Sequence, residues 1–451
     1  MSIESNRLTD EQYQENFQDI HPPFESVDAA LVDANRCLYC YDAPCTKSCP
    51  TGIDVPKFIK QIVTENLKGS AHTIFTSNII GGGCARVCPV EKLCEGACVY
   101  NLMEERPIPI ARLQRHATER AIKEKWSLFT RRPSTGKKVA IVGAGPAGLS
   151  SAHVLAREGV DCTIYEKELK GGGLMTYGIA AYKVTPEFCE EELEFILSVG
   201  GIEIKYGQEL GQNLTLIDLR AQYDAVYLAF GVGLARQLDI PGEEHPGVVD
   251  ALRFIYDIRS KGYSSVAVGD KVAVIGMGMT AIDAATQARR LGAGEVTLVY
   301  RRTEAEMPCT RAELELALLD GCKILWLTAP VQVVAADNPA AGNQAIQLVC
   351  HRMRLGDPDP SGRRSPVDTG EVLTLEVDMV IRAAGQVPFE QLVDASGLQH
   401  RQGKIAAGLS GSTNIPGVFA GGDCVNGGKE VVDAVQAGKD SAAAILAYLE
   451  L

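Results

Sequence analysis

The chain has no apolar run of about 18 residues, so no membrane-spanning helix is expected. It has no excess of basic charge: 44 Lys and Arg stand against 57 Asp and Glu, for a net charge of −13. A nucleic-acid binder would show the opposite balance. Its first residues, MSIESNRLTDEQYQENF, lack both the basic and the apolar stretch of a secretory signal, so a cytoplasmic location is expected. There, clustered cysteines are metal ligands more often than disulfides. The remaining composition is ordinary for a globular protein, 46% hydrophobic and 22% charged, and 451 residues allow several domains. None of this selects an activity.

The cysteines are unevenly spread. Eight of the 14 fall between Cys37 and Cys98, as Cys37, Cys40, Cys45 and Cys49, then Cys84, Cys88, Cys94 and Cys98. Cys49 and Cys88 each precede a proline. Iron–sulfur proteins use such runs because several thiolates on one curling loop can surround a cluster, and the last Cys of a run can serve the other cluster. Two 4Fe–4S clusters are expected. The alternative is structural zinc in two four-cysteine sites. Cys162, Cys189, Cys309, Cys322, Cys350 and Cys424 are scattered and read as packing residues.

Beyond a plausible linker, FTRRPSTGKK, the texture changes. KVAIVGAGPAGLSSAHVLAREG reads as buried strand, glycine turn and helix, with CTIYEKE as the next strand. The pattern returns as KVAVIGMGMTAIDAATQARRLG and EVTLVYRR. Two α/β nucleotide-binding units are predicted. In the first, Gly143, Gly145 and Gly148, with Pro146 and Ala147 between them, would let a pyrophosphate reach the helix N-terminus. Glu166, ending the second strand, is placed to hold a ribose. Gly172, Gly173 and Leu174 follow in a loop where backbone could approach a flavin ring. In the second unit, Gly276, Gly278, Met279, Thr280 and Ala281 form the turn, Ala281 replacing the usual third glycine. Arg301 and Arg302 stand where an acidic residue would select NADH. A guanidinium suits a 2′-phosphate, so NADPH is favoured, with NADH possible; a solvated charge pair is the alternative. No Cys-x-x-Cys follows this turn, so electrons are not expected to leave through a dithiol.

Near the C-terminus, FAGGD resembles the distal motif of two-dinucleotide flavoproteins. The likeness puts Gly422 and Asp423 against the flavin's ribityl–phosphate portion and aims the helix beginning near Val431 and Val432 at the isoalloxazine. A plain N-cap is the alternative for Asp423. Gly385 is carried with these as a cofactor-binding candidate. Taken together, the motifs resemble, from about Ala30 to the C-terminus, the electron-input module shared by dihydropyrimidine dehydrogenase and the glutamate synthase small subunit. The resemblance implies a multidomain chain: an N-terminal α-helical Fe–S domain over 1–130, an FAD domain over 131–265 and 383–451, and an NAD(P) domain inserted over 266–382, the last two Rossmann-like. It implies one cluster on Cys37, Cys40, Cys45 and Cys98. It implies a second on Cys49, Cys88, Cys94 and Gln114, which leaves Cys84 spare. Glutamine in that position tilts the resemblance towards the dihydropyrimidine enzymes, since glutamate synthases tend to carry Glu there; YRRTEAEMP fits the glutamate synthase type at least as well. A surface amide is the alternative for Gln114. The implied activity is electron transfer from NAD(P)H through FAD and the clusters to a separate FMN- and Fe–S-containing subunit that reduces uracil or thymine. No side chain is needed as a general acid or base, so no catalytic residue is expected. The rivals are a cofactor-fold scaffold without activity and an electron-input module for another partner.

Overall fold

The computed structural model describes residues 3–335, 346–359, 362 and 364–451. The chain forms two compact units. One comprises Ile20–Thr176, Lys183–Gly233 and Pro388–Leu451; the other comprises Met1–Asp19, Tyr177–Tyr182 and Leu234–Val387.

The first unit begins with helices. Val55–Val63 is capped by Asp54, which accepts from the Lys57 amide, and buries Val55, Phe58, Ile59 and Ile62. Leu67–Ser77 and Ile110–Lys123 pack with it, and Gly81–Val87 packs on Ile110–Lys123. The expected linker is tied down. Arg131 donates to the Ala156 carbonyl and pairs with Asp161, and the Thr135 amide donates to Gly159. The five-stranded sheet that follows is all parallel, in the order Val418–Ala420, Ala225–Leu228, Lys138–Val142, Asp161–Glu166, Ile202–Tyr206. The C-terminal strand thus returns to the first sheet, and its helix Val431–Tyr448 lies on Pro146–Arg157. A side chain at Gly438 would overlap the Ala147 carbonyl, so glycine sets that close approach.

The second unit repeats the plan. Its parallel sheet runs Val248–Asp250, Met379–Arg382, Lys271–Ile275, Glu295–Val299, Lys323–Leu325. A three-stranded antiparallel sheet, Thr328–Ala335, Ile346–Pro358 and Arg364–Val377, lies outside the repeat and was not foreseen from sequence. Val248–Asp250 pairs with Met379–Arg382, and the stretch from Leu234 belongs to the second compact unit. The helical region and the first sheet fall in the same compact unit.

Candidate cluster and nucleotide sites

None of the fourteen cysteines is in a disulfide. Cys37, Cys40, Cys45 and Cys98 line one pocket. The Cys37–Cys45 loop closes on itself because Tyr39 and Ala43 take left-handed backbone (φ 51° and 37°), an uncommon state for residues with a Cβ. Burial pushes the Cys45 thiol up to about 11, and neighbouring Cys37 and Cys98 add to it. A second group gathers around Cys88. A hydrogen bond with Cys84, then burial, then the nearby Cys94 and Cys49 hold its thiol well above the ordinary range. Such thiols can ionise together only against a cation, which is how metal binding couples to deprotonation. The donor sets therefore fit two metal clusters. The sequence groups cross: Cys98 lies with Cys37, Cys40 and Cys45, and Cys49 lies near Cys88 and Cys94.

The second group is braced by the helix Ile110–Lys123. Glu95, between Cys94 and Cys98, accepts from the Ala111 amide at 2.9 Å. One turn on, Gln114 is buried, 6% exposed. Its Nε2 donates to the Gly81 carbonyl at 2.6 Å. Gln114 is therefore not a surface amide, and its oxygen is the atom left for coordination. Cys84 is buried beside Cys88 rather than remote from the group. Sequence reasoning missed Lys439. From the C-terminal helix it donates to the Ser77 carbonyl at 2.6 Å, with its charge facing Cys49; only the fold brings these positions together.

In the first nucleotide turn, Gly143 has φ +104°, and a Cβ there would lie 2.9 Å from the Ala229 carbonyl carbon. A Cβ on Gly148 would overlap the Gly143 carbonyl. Gly145 differs: it caps the helix Pro146–Arg157, and its Cβ would meet only the Gly173 Cα, at 3.9 Å. The protein leaves that side open, as a phosphate cradle requires. Ala147 lies against Gly422, whose Cβ would come within 2.9 Å of it. Glu166 is buried, which raises its carboxyl, and it accepts from the Ala144 amide at 2.7 Å. Gly172 and Gly173 have positive φ, and Leu174 is exposed. Burial also raises Asp423, which accepts from the Lys429 amide and precedes the helix at Val431 and Val432.

In the second unit, Gly276 has φ +137°, Gly278 caps the helix Met279–Arg290, and a Cβ on Gly278 would meet nothing within 4 Å. Ala281 is fully buried, so a methyl fits where a third glycine was expected. Met279 and Thr280 are half-buried. The two arginines part company. Arg301 is exposed, whereas Arg302 is 7% exposed and its Nε donates to the Arg364 carbonyl at 3.1 Å. The expectation of two phosphate-binding arginines narrows to Arg301. Gly385 is exposed, and its carbonyl accepts from the Arg236 amide.

Two parallel sheets with open glycine turns, joined to paired thiol clusters, define a pyridine-nucleotide flavoprotein of the iron–sulfur type. Two family models match: dihydropyrimidine dehydrogenase domain II, 4Fe–4S cluster, over 13–126, and pyridine nucleotide-disulphide oxidoreductase over 137–438. The NAD-dependent dihydropyrimidine dehydrogenase subunit PreT of Salmonella typhimurium is 36% identical over 437 residues, covering 97% of this chain and 98% of the relative. The glutamate synthase [NADPH] small chain of Escherichia coli is 34% identical, covering 96% and 94%. FprA of Mycobacterium tuberculosis, solved in complex with NADPH, shares the fold at TM-score 0.60 and 22% identity, over 71% of this chain and 85% of that one. The chain belongs to the pyridine nucleotide-disulphide oxidoreductase family, in the branch that holds the dihydropyrimidine dehydrogenase PreT subunits and the glutamate synthase small chains. It is an NAD(P)H-dependent oxidoreductase subunit for electron transfer, with 4Fe–4S clusters and FAD as its cofactors. No helix among the described residues is long and apolar enough to cross a membrane.

Proposed function

We propose that this chain takes electrons from NAD(P)H and delivers them to an FMN- and Fe–S-containing partner subunit that reduces uracil or thymine to the 5,6-dihydropyrimidine. Buried Gln114 carries this reading over the glutamate synthase one. Its Nε2 is used by the Gly81 carbonyl, three residues before Cys84, which leaves its oxygen as the atom that could serve a cluster. When bound, FAD and the clusters supply the hydride and one-electron chemistry, and the protein supplies placement. Cys37, Cys40, Cys45 and Cys98 would hold one cluster; Cys49, Cys88, Cys94 and Gln114 would hold the other. Gly145 and Gly278 leave room for the two pyrophosphates, Glu166 and Asp423 would receive flavin hydroxyl groups, and Arg301 would meet a ribose phosphate.

The test is reconstitution. The chain alone should reduce an artificial acceptor with NAD(P)H and leave uracil untouched. Adding the FMN subunit should start uracil reduction. Activity that appears instead with a large amidotransferase subunit, glutamine and 2-oxoglutarate would overturn the pyrimidine reading and leave electron input standing.

Two substitutions sharpen the site. Cys84→Ser should keep about eight irons per chain, four per cluster, while Gln114→Ala should change the spectrum of one cluster. The reverse outcome would pass the fourth ligand position to Cys84 and remove the observation that favours pyrimidines. Arg301→Ala should raise KM for NADPH by ten- to a hundredfold and change KM for NADH little. A charge-assisted contact contributes roughly 1.5–3 kcal/mol, and only NADPH would lose it. Equal effects on both nucleotides would sink the role of Arg301.

A further inference from the structure

A buried acid lies between the cluster loops and the flavin loop, and nothing in the electron path as described uses it. Glu192, on the helix Pro186–Leu197, is 4% exposed. Its Oε1 accepts from the Gly83 amide at 2.9 Å. Gly81, Gly82 and Gly83 open the helix that carries Cys84 and leads into Cys88. Their missing side chains make the contact possible: a Cβ on Gly82 would stand 2.9 Å from Glu192 Oε1 and 2.7 Å from Phe188 Cζ. Gly81 receives the Gln114 amide from the other side. Glu192 also lines a small cavity with Ile80, Leu149, Met175, Thr176 and Gly172. The cavity thus joins the carboxyl to the loop of Gly172–Leu174.

The surrounding charges leave Glu192 as the group that can change state. From the glycine helix, Arg86 faces it, with that guanidinium 3.5 Å above the Phe188 ring and 3.5 Å from Glu119. From the helix Ile110–Lys123, Glu119 also holds Arg115 and Lys123. Burial pushes Glu119 up, but those hydrogen bonds outweigh it and keep its carboxyl at about 2. Glu119 therefore stays ionised and claims Arg86 in part. The helix Pro146–Arg157 contributes Leu149 to the cavity wall, and the flavin loop contributes Met175 and Thr176, with no charge. On its own helix, Cys189 donates its thiol hydrogen to the Met175 carbonyl. Burial raises Glu192 to about 7, against the pull of the Gly83 amide, Arg86 and the Gly82 amide.

We propose that Glu192 is a redox-linked proton site: its carboxylate binds one proton when an electron arrives in the second cluster, and releases it when that electron moves on. The proposal rests on the electron-input reading above. NAD(P)H supplies two electrons at once as hydride, and these leave through the cluster singly; each single electron brings one proton from solvent onto Glu192, and that proton returns to solvent when the electron leaves. An added negative charge disfavours a nearby carboxylate. By linkage, protonation then favours reduction to the same degree.

The experiment is an EPR-monitored potentiometric titration of the full chain loaded with FAD and iron, at a series of pH values either side of 7. The second cluster should become harder to reduce as pH rises, by up to tenfold in its equilibrium constant per pH unit, about 59 mV for one electron. Cys98→Ser, which removes the other cluster, identifies the signal. Glu192→Gln should flatten the slope with flavin and iron contents unchanged, and Glu192→Asp should restore part of it. A flat wild-type profile, or a slope that survives in Glu192→Gln, overturns the proposal. If Glu192→Gln fails to load its cofactors, the redox-difference infrared spectrum of the wild type decides: a protonated-carboxyl band must grow on reduction, and its absence rejects the site. A chain that binds no iron or flavin would instead overturn the electron-input reading.

Discussion

Gly145→Val should yield a folded protein without flavin. The inward glycines of that turn are fixed by the protein itself. At Gly143 a side chain would strike the Ala229 backbone, and at Gly148 it would strike the Gly143 carbonyl. Both substitutions would move the strand and turn, so loss of flavin there would say little about a ligand. Gly145 has φ −78°, open to any residue, and its nearest neighbour for a Cβ is 3.9 Å away. A valine there costs the apo fold little and fills the space that a pyrophosphate would take. The FAD-to-protein ratio should drop below about a tenth, a loss of more than about 1.4 kcal/mol in binding, and acceptor reduction by NAD(P)H should fall with it. Iron content and thermal stability serve as controls. Gly278→Val should do the same to nicotinamide binding while FAD stays. A Gly145→Val protein with full flavin content would place the dinucleotide elsewhere.

Cys98→Ser should halve the iron, from about eight to about four per chain. Electron delivery to the partner should fall by orders of magnitude while NAD(P)H still bleaches the flavin. Cys98 sits in the second sequence cluster, yet it lines the pocket of Cys37, Cys40 and Cys45. A loss confined to that cluster's EPR signal, with the Cys88 group intact, is the outcome that checks the crossed arrangement. Loss of both signals would show that the two groups do not load independently. Metal analysis finding zinc and little iron in anaerobically prepared protein would end the iron–sulfur assignment.

The parts of the molecule that were legible in sequence are those where one short segment does a whole job. KVAIVGAGPAG and KVAVIGMGMTA each contain strand, turn and helix start, and both form the same structure at the same place in their sheets. The C-terminal return to the first sheet was legible because VFAGGD keeps its strand and turn together. What could not be read depends on partners far along the chain. Arg301 and Arg302 are adjacent and chemically alike; only the Arg364 carbonyl, on another sheet, separates their fates. Tyr39 and Ala43 bend the first cysteine loop without being glycine. Glu192 sits on a helix with four other glutamates, Glu187, Glu190, Glu191 and Glu194, and nothing local marks it as the one that meets Gly82 and Gly83 a hundred residues earlier. The antiparallel sheet after Leu325 lacked a repeat to announce it.

The exchange of Cys49 and Cys98 between the two thiol groups also constrains how the protein is made. Neither set of four is complete until the ribosome has passed Cys98, and the second waits for Gln114. The helices Val55–Val63 and Leu67–Ser77 lie inside the ring that this exchange closes. Closing so long a loop carries an entropic cost in the nascent chain, and metal insertion supplies free energy that only the closed form can use. Loading should therefore be late. Under iron limitation the cell would accumulate complete chains whose thiol groups wait for metal, rather than clusters stranded on unfinished ones.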